Sequence, residues 1–404
     1  MLNVLTINSG SSSLKFSLYS MGQSEAPLLS GEFDRIGLAR GVFRVEGHKQ
    51  DADLPDHDAA LHMLFEWLRS HGSSVELDAV GHRLVYGGRD YDKPQLITPR
   101  LIEALTKLVS FAPDHLPHEL KAIEAVDRIH PGLPQIACFD TAFHCQSPTI
   151  AKLYPLPRHY WDEGLRRYGF HGLSYAYILQ ELARLDVVAA DGRLIVAHLG
   201  NGASMAAIRN RGPMDTTMGM TPCGGLMMGT RSGDLDPGAV LYLVKELPTV
   251  SAAKDVLNEQ AGLLGVSGIS SDMQELLAKE TGDHRAAEAI ALFCYQARKF
   301  LGALAAVLSG LETLVFTGGI GENAPSIRSR ICEGLEFLGI RLDPALNSAN
   351  AAIISTERSH VRVRVMKTDE SIMIARYTED LIRIGTPPPR LPHSAGRSIF
   401  APGA

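Results

Sequence analysis

Cysteine is scarce in this chain of 404 residues, and its placement excludes two structural roles. Cys138, Cys145, Cys223, Cys294 and Cys332 are odd in number and contain no Cys-x-x-Cys pair. That excludes a disulfide framework and a zinc ribbon and points to a reducing compartment, the cytoplasm. No run of about 18 apolar residues occurs, so no membrane-spanning helix is expected. The opening run Met1–Ile7 has no basic stretch before it and breaks at Asn8-Ser9, which reads as a buried strand, not a signal peptide. Basic charge is not in excess either: the formal net charge is −6, which argues against nucleic acid as a partner. Also missing are the GxxxxGK[ST] phosphate loop, a GxGxxG turn followed by a helix and a distal acid, and HExxH. These absences remove the P-loop, dinucleotide-binding and zinc-protease readings.

What is present is an ordinary globular composition, 45 % hydrophobic and 21 % charged, at a length that suggests two or three domains. Apolar runs and helical periodicity alternate. Val4–Tyr19 reads as strand, turn and strand about Asn8–Ser13. Helices are predicted over 57–71, 99–109, 119–129, 174–184 and 286–309 and after Pro325. Strands are predicted over 75–86, 135–139, 194–198, 205–208, 311–316 and 361–366. This alternation predicts an α/β fold. The strand–turn–strand pattern recurs at Leu194–Ile208, where an offset of 192 places Gly10 on Gly202 and Ser12 on Ser204. Two similar α/β halves are therefore expected, each offering a glycine-rich hairpin to one ligand. Their expected extents are 1–147 together with about 372–385, and 148–371. The Pro-rich tail 386–404 is expected to be disordered.

Three glycine-rich turns follow apolar strands: 8–13, 200–204 and 318–323. Such turns let backbone N–H groups approach phosphate oxygens, and three of them favour a nucleotide ligand. Arg231 stands alone in the glycine-rich run 215–238, which suits an anion clamp better than a solvated surface. Arg83 sits at a strand end, as a second clamp or as a sheet-edge ion pair. His171 and His198 lie beside glycines. Asp140 closes a strand, where it either lines a crevice or caps the next helix. Lys15 follows the first turn and either reaches a phosphate or is a solvated strand residue.

Asn8-Ser-Gly-Ser-Ser-Ser-Leu-Lys-Phe16, Gly81-His-Arg83, Phe139-Asp-Thr-Ala-Phe-His144, Arg167-Tyr-Gly-Phe-His-Gly172, Ala197-His-Leu-Gly-Asn-Gly202, Met228-Gly-Thr-Arg-Ser-Gly-Asp-Leu-Asp-Pro237, Gly318-Gly-Ile-Gly-Glu-Asn323 and Thr368-Asp-Glu370 together resemble the acetate kinase family. The resemblance runs over about residues 2 to 384. It implies two α/β domains of the acetate and sugar kinase, heat-shock ATPase and actin type, closing on a cleft. It further implies reversible, direct phosphoryl transfer from ATP to acetate with Mg²⁺ in a cytoplasmic homodimer. Propionate or butyrate is the alternative acid, and a nucleotide-binding regulatory protein is the alternative from another class.

By that resemblance Asp140, His171 and Arg231 are catalytic. Arg83, Val85, His115, Phe170 and Pro222 bind the carboxylate and its acyl tail. Asn8 and Glu370 hold the metal. Lys15, His198, Leu199, Gly200, Asn201 and Gly202 face the ATP phosphates. Asp272, Met273, Gln274, Gly318, Gly319, Ile320, Gly321 and Glu322 meet the adenosine. The sequence departs from the family pattern at Asp114, Leu116, Tyr175, Gly224, Gln274 and Ser371. Asp114, next to His115, is expected either to line the acyl pocket or to turn to solvent or pair with a cation.

Overall fold

Strand β1 (Leu2–Ser9) turns back on β2 (Ser13–Met21) in an antiparallel hairpin with Asn8 opposite Lys15. The computed structural model describes residues 1–384 other than 11, 23 and 72–74. The tail expected to be disordered, 386–404, lies outside the described residues. Three further strands, β3 (Leu29–Asp34), β4 (Gly41–Val45) and β5 (His48–Ala52), extend the meander. They were not predicted. His48–Ala52 is polar and almost wholly exposed, so it shows no alternation to detect. A two-residue turn, Glu46-Gly47 with both φ positive, joins β4 to β5, as a tight hairpin of right-handed twist requires.

On the other side of β1 lie β6 (Ala79–Leu84) and β8 (Gln135–Phe139), both parallel, and the short antiparallel β7 (Gln95–Leu96). The whole sheet runs β5-β4-β3-β2-β1-β6-β8-β7. The strand expected over 75–86 is thus confined to its buried centre.

A second sheet has the order β11-β10-β9-β12-β13, from β9 (Arg193–Leu199), β10 (Ala203–Arg209), β11 (Gly212–Thr216), β12 (Thr313–Thr317) and β13 (Arg362–Val365). Its β9, β12 and β13 are mutually parallel and β9, β10 and β11 antiparallel. The run β3-β2-β1-β6-β8 has the same order and the same directions. The two halves therefore repeat one topology. The expected offset of 192 needs correction, because Ser9 and Leu199 close equivalent strands 190 positions apart. Three residues separate the strands in both hairpins, so Gly10 corresponds to Gly200, and the glycine pairing at 192 falls two positions out of that register.

Helices cover both sheets. His57–His71 starts with Asp56 accepting from Ala59 N (2.9 Å) and buries Leu61, Leu64 and Phe65. Leu116–Ile129 packs against it, and both rest on the first sheet. The long helix His284–Val307 is, by length and composition, capable of crossing a membrane. One face of it is instead buried in the core, with Ile290, Phe293, Leu301 and Leu304 packed among residues of the second sheet and its neighbouring helices. The final helix, Glu370–Ile384, leaves β13 and returns to pack on β1, β2 and β6. This return carries residue 370 to the strand ends of the first half.

Candidate active site

Parallel strands deliver their C-terminal ends to one edge of a sheet. In the first sheet that edge gathers Asn8 from β1, Arg83 from β6 and Asp140 just beyond β8. Arg83 Nε and a terminal nitrogen donate to Asp140 Oδ2 (3.0 and 2.5 Å), and its other terminal nitrogen donates to Asn8 Oδ1 (3.1 Å). Glu370, at the start of the last helix, stands 3.9 Å from Arg83 Nε. Asp140 is fully buried, and its Oδ1 has no hydrogen-bond partner among the described residues. The helix-cap reading of Asp140 fails, because the following turn of helix, Ala142–Gln146, begins at Thr141 without a side-chain cap. Burial opposes the charge of Arg83, but Asp140 and Glu370 outweigh it and hold the guanidinium well above its ordinary range. The Asp140 carboxyl is pushed up by burial, with Arg83 pulling the other way.

His171 sits immediately opposite. It has the left-handed φ of 58°, uncommon for a residue with a side chain, and it immediately precedes the helix Gly172–Leu185 without a side-chain cap bond. Gly172 N donates to Asp140 O (3.0 Å), an approach so close that a Cβ on Gly172 would overlap that carbonyl. Glycine at 172 is what lets His171 and Asp140 adjoin. The His171 ring stacks on His198 of β9, with centroids 4.3 Å apart. His171 Nδ1 pairs with Ser204 Oγ and His198 Nδ1 with Ser174 Oγ, each at 2.8 Å. Burial, then His198, Arg83 and Arg231, depress His171 well below the usual histidine range, and burial brings His198 to about 4. Both rings are neutral at physiological pH.

Arg231 approaches from the second half. A terminal nitrogen donates to Pro222 O (3.1 Å) and contacts Met228 Sδ (3.6 Å), and burial lowers its pKa. A Cβ placed on Gly202 would stand 3.3 Å from His171 Nε2 and 3.6 Å from Arg231 Nη1. The missing side chain of Gly202 therefore leaves a space that both groups face. His115, which precedes the helix Leu116–Ile129, is lowered to about 4 by burial and by the fields of Arg83 and Arg231. Val85 and Phe170 are buried in one apolar cluster with Leu116, and Pro222 is anchored through its carbonyl. Asp114 does not enter that wall. It is half exposed and pairs with Lys254 at 2.5 Å.

In the second half, Gly200 packs against Gly202 O and Gly319 N, and Gly318 has φ +78° against the carbonyl of Leu199. Residues 318–323, expected as a turn, form a short helix directly after β12. Glu322 turns its carboxylate inward and accepts from Gly318 N (2.9 Å) and Thr368 N (3.1 Å). Gly321 and Glu322 carbonyls accept from Arg328. With Asn347 and Asn350 those bonds use all five guanidinium donors of a side chain that is fully buried. Gly321 and Glu322 are thus braced from behind, and Ile320 is half-buried on the same short helix. Asn201 lies against Gly229, which itself abuts Ser271; Asp272 caps the helix Met273–Lys279 through Glu275 N (2.9 Å). Met273 is buried and Gln274 exposed. Lys15 is exposed, on the face of the hairpin that it shares with Asn8.

A family model described as the acetokinase family matches residues 3–376. The chain belongs to the acetokinase family. An acetate kinase of Rhodopseudomonas palustris is 47 % identical over 388 residues, covering 93 % of this chain and 97 % of its own. The crystal structure of an acetate kinase from Porphyromonas gingivalis superposes with a TM-score of 0.87 at 38 % identity, covering 95 % of this chain and all of that one. That of a propionate kinase from Francisella tularensis gives 0.88 at 36 %, covering 94 % and 100 %.

Three residues of this acetokinase site escaped the sequence reading in their actual roles. Glu119 is buried in the first turn of its helix, and both carboxylate oxygens accept from Val85 N (3.1 and 3.2 Å). The sequence placed it only at the start of the helix predicted over 119–129. Ser204 and Tyr175, the latter noticed only as a departure, lie behind His171. No sequence signal reports which hydroxyl reaches which ring.

Proposed function

We propose that this chain is an acetate kinase, which moves the γ-phosphoryl group of ATP reversibly and directly onto the carboxylate of acetate. The observation that carries the proposal is the space over Gly202, faced by the His171 ring and by an arginine that has no carboxylate ion pair among the described residues. A carboxylate is already a nucleophile at neutral pH, so the task is to bring two anions together and not to remove a proton. Arg231 balances the charge of the transferring phosphoryl group, His171 donates a hydrogen bond to it, and Arg83 orients the carboxylate. Val85, Phe170 and Pro222 hold the methyl group, with His115 at the rim. Lys15 and the backbone of His198–Gly202 face the phosphates. Residues 272–274 and 318–322 enclose the adenosine.

The residues also suit Mg²⁺. Among the described residues no three His, Cys, Asp or Glu groups form a cage. What lies beside Arg83 is a set of oxygens, Asn8 Oδ1, the Glu370 carboxylate and the unpartnered Asp140 Oδ1. Few protein oxygens, completed by water and phosphate, is how Mg²⁺ is held in nucleotide sites. Asn8 and Glu370 would bind it, with Asp140 orienting the site. When bound, it neutralises phosphate charge.

The two repeated sheets support a division into domains, 1–147 with 372–385 and 148–371, that close on the substrates. The helix Pro237–Glu246 exposes Leu241 (69 %) and Tyr242 (63 %), which supports a dimer with an apolar seam through the second half. A cytoplasmic location, and the absence of nucleic-acid or membrane partners, complete the proposal. Trapping acyl phosphate with hydroxylamine, over formate, acetate, propionate and butyrate with ATP and Mg²⁺, tests the reaction and its acid together. Product with acetate is expected at the highest kcat/KM. Product with none of them overturns the proposal, and a better rate on a longer acid reassigns the substrate.

A further inference from the structure

Tyr175 lies one helical turn beyond His171, and its hydroxyl meets Ser204 Oγ at 2.5 Å. Ser204 Oγ meets His171 Nδ1 at 2.8 Å. Tyr175 and Ser204 are both fully buried, and neither side chain has another hydrogen-bond partner among the described residues. The Tyr175 ring is clamped by Phe143 and His144, with centroids 5.7 and 5.5 Å away. Two links must therefore be made by the hydroxyl protons of Tyr175 and Ser204, helped or not by a proton on Nδ1.

Only one arrangement leaves no buried proton unpaired. If Nδ1 carried a proton and donated to Ser204, the Ser204 proton would have to turn to Tyr175, whose own proton would then have no acceptor. If both neighbours donated to Ser204, the Ser204 proton itself would be stranded. The satisfied arrangement runs in one direction: Tyr175 donates to Ser204, Ser204 donates to Nδ1, and the proton of the neutral ring rests on Nε2. Nε2 is the atom that faces the space over Gly202 together with Arg231.

We infer that Tyr175 and Ser204 form a one-way relay that presents His171 to the cleft as an Nε2–H donor, which makes Tyr175 a positioning residue for the proposed transfer. The catalytic consequence rests on the acetate kinase reading, whereas the relay itself does not. As negative charge grows on the group that His171 touches, the three hydrogen bonds strengthen one another. The neighbouring histidine shows by contrast what the relay adds. His198 Nδ1 meets Ser174 Oγ, and Ser174 meets Thr368 Oγ1 at 2.8 Å. Thr368 is only half-buried, so its proton can turn to water and the chain is satisfied in either direction. The protein sets the tautomer of His171 but not that of His198.

Selective ¹⁵N-histidine labelling of the full-length protein tests this directly, with the His171 signals assigned by their loss in His171→Gln. The expected spectrum shows a neutral ring with Nε2 protonated and Nδ1 bare. A proton on Nδ1 overturns the relay, whether or not the protein makes acyl phosphates. Kinetics then separates positioning from packing. Tyr175→Phe and Ser204→Ala should each lower kcat roughly tenfold with KM for both substrates nearly unchanged. The double variant should be no slower than Ser204→Ala alone, because Tyr175 acts only through Ser204. Losses that multiply would show that Tyr175 supports the site by packing and would overturn its role. If Ser204→Ala does not fold, Tyr175→Phe with its His171 spectrum decides: the positioning role requires kcat to fall while KM holds, and an unchanged kcat overturns it.

Discussion

The two arginines of the cleft are built on opposite principles. Arg83 is tied on every side: Asp140 accepts from two of its nitrogens, Asn8 from the third, and Glu370 stands nearby. Its charge is balanced before any substrate arrives. Arg231 is almost as deeply placed but rests on a carbonyl and a sulfur, and burial lowers its pKa where Arg83's is raised. A charge left unbalanced out of water is the one an incoming anion satisfies most strongly. The difference teaches which arginine belongs to the architecture of the site and which is held in reserve for the ligand.

The largest effect should come from breaking the reserve. Arg231→Ala is expected to lower kcat by ~10³-fold or more, as losing a charge-stabilising arginine does in phosphoryl transfer, with no loss of thermal stability. Arg231→Lys should also be poor, because a point charge does not replace a planar fork. Rates within about threefold of the parent would remove Arg231 from the reaction. Arg83→Ala should behave differently and lose stability as well, by about 3–5 kcal/mol, because it strands the buried Asp140. Denaturant melts of the two alanine variants, side by side, test the contrast.

Asp140→Asn attacks the tied arginine from its partner. The expected loss is ~10²-fold or more in kcat, with the circular dichroism spectrum of the parent. A variant with normal turnover would reduce Asp140 to a strut for Arg83.

A smaller effect concerns Glu119, behind Val85. Burial raises its pKa to about 8 from 4.5, with Asp140 adding to the rise and Arg83 and the Val85 amide opposing it. The folded chain therefore binds this proton more tightly than the unfolded chain. Its contribution to stability is complete below the ordinary glutamate pKa and drains away as pH rises towards about 8. Glu119→Gln keeps an acceptor for Val85 N and removes the titration. Its Tm should fall less than the parent's between about pH 5.5 and 8, and parallel curves would show that Glu119 is charged throughout.

Asp114→Leu should do least. The Lys254 pair is exposed, and such pairs contribute about 0–1 kcal/mol. kcat/KM for formate, acetate, propionate and butyrate should stay within about twofold of the parent, and a tenfold gain on any acid would put residue 114 back in the acyl pocket.

Much of this site was legible in the chain. The His57–His71 helix and the Gln135–Phe139 strand end where the pattern of apolar residues ends. Asn8, Arg83 and Asp140 stood out because each closes an apolar run, and parallel strands end on one edge. The edge strand β5 was not legible, since a strand made of polar and charged residues carries no buried face. Nor was Glu119: an acid in the first helical turn is common, and only the packing of Leu116–Ile129 on the first sheet buries this one.

The sequence by itself determined the alternation of elements, two of the three glycine turns and the family, because these rest on local periodicity and on motifs in fixed order. Tertiary structure decided the pairings. It set Asp140 against Arg83 instead of a helix end, sent Asp114 to Lys254, and aimed Tyr175 through Ser204 at His171. Each of those choices joins residues from 29 to 140 positions apart. Their partners are settled by which buried polar groups can be satisfied together, and that is a property of the assembled core and not of any stretch of chain.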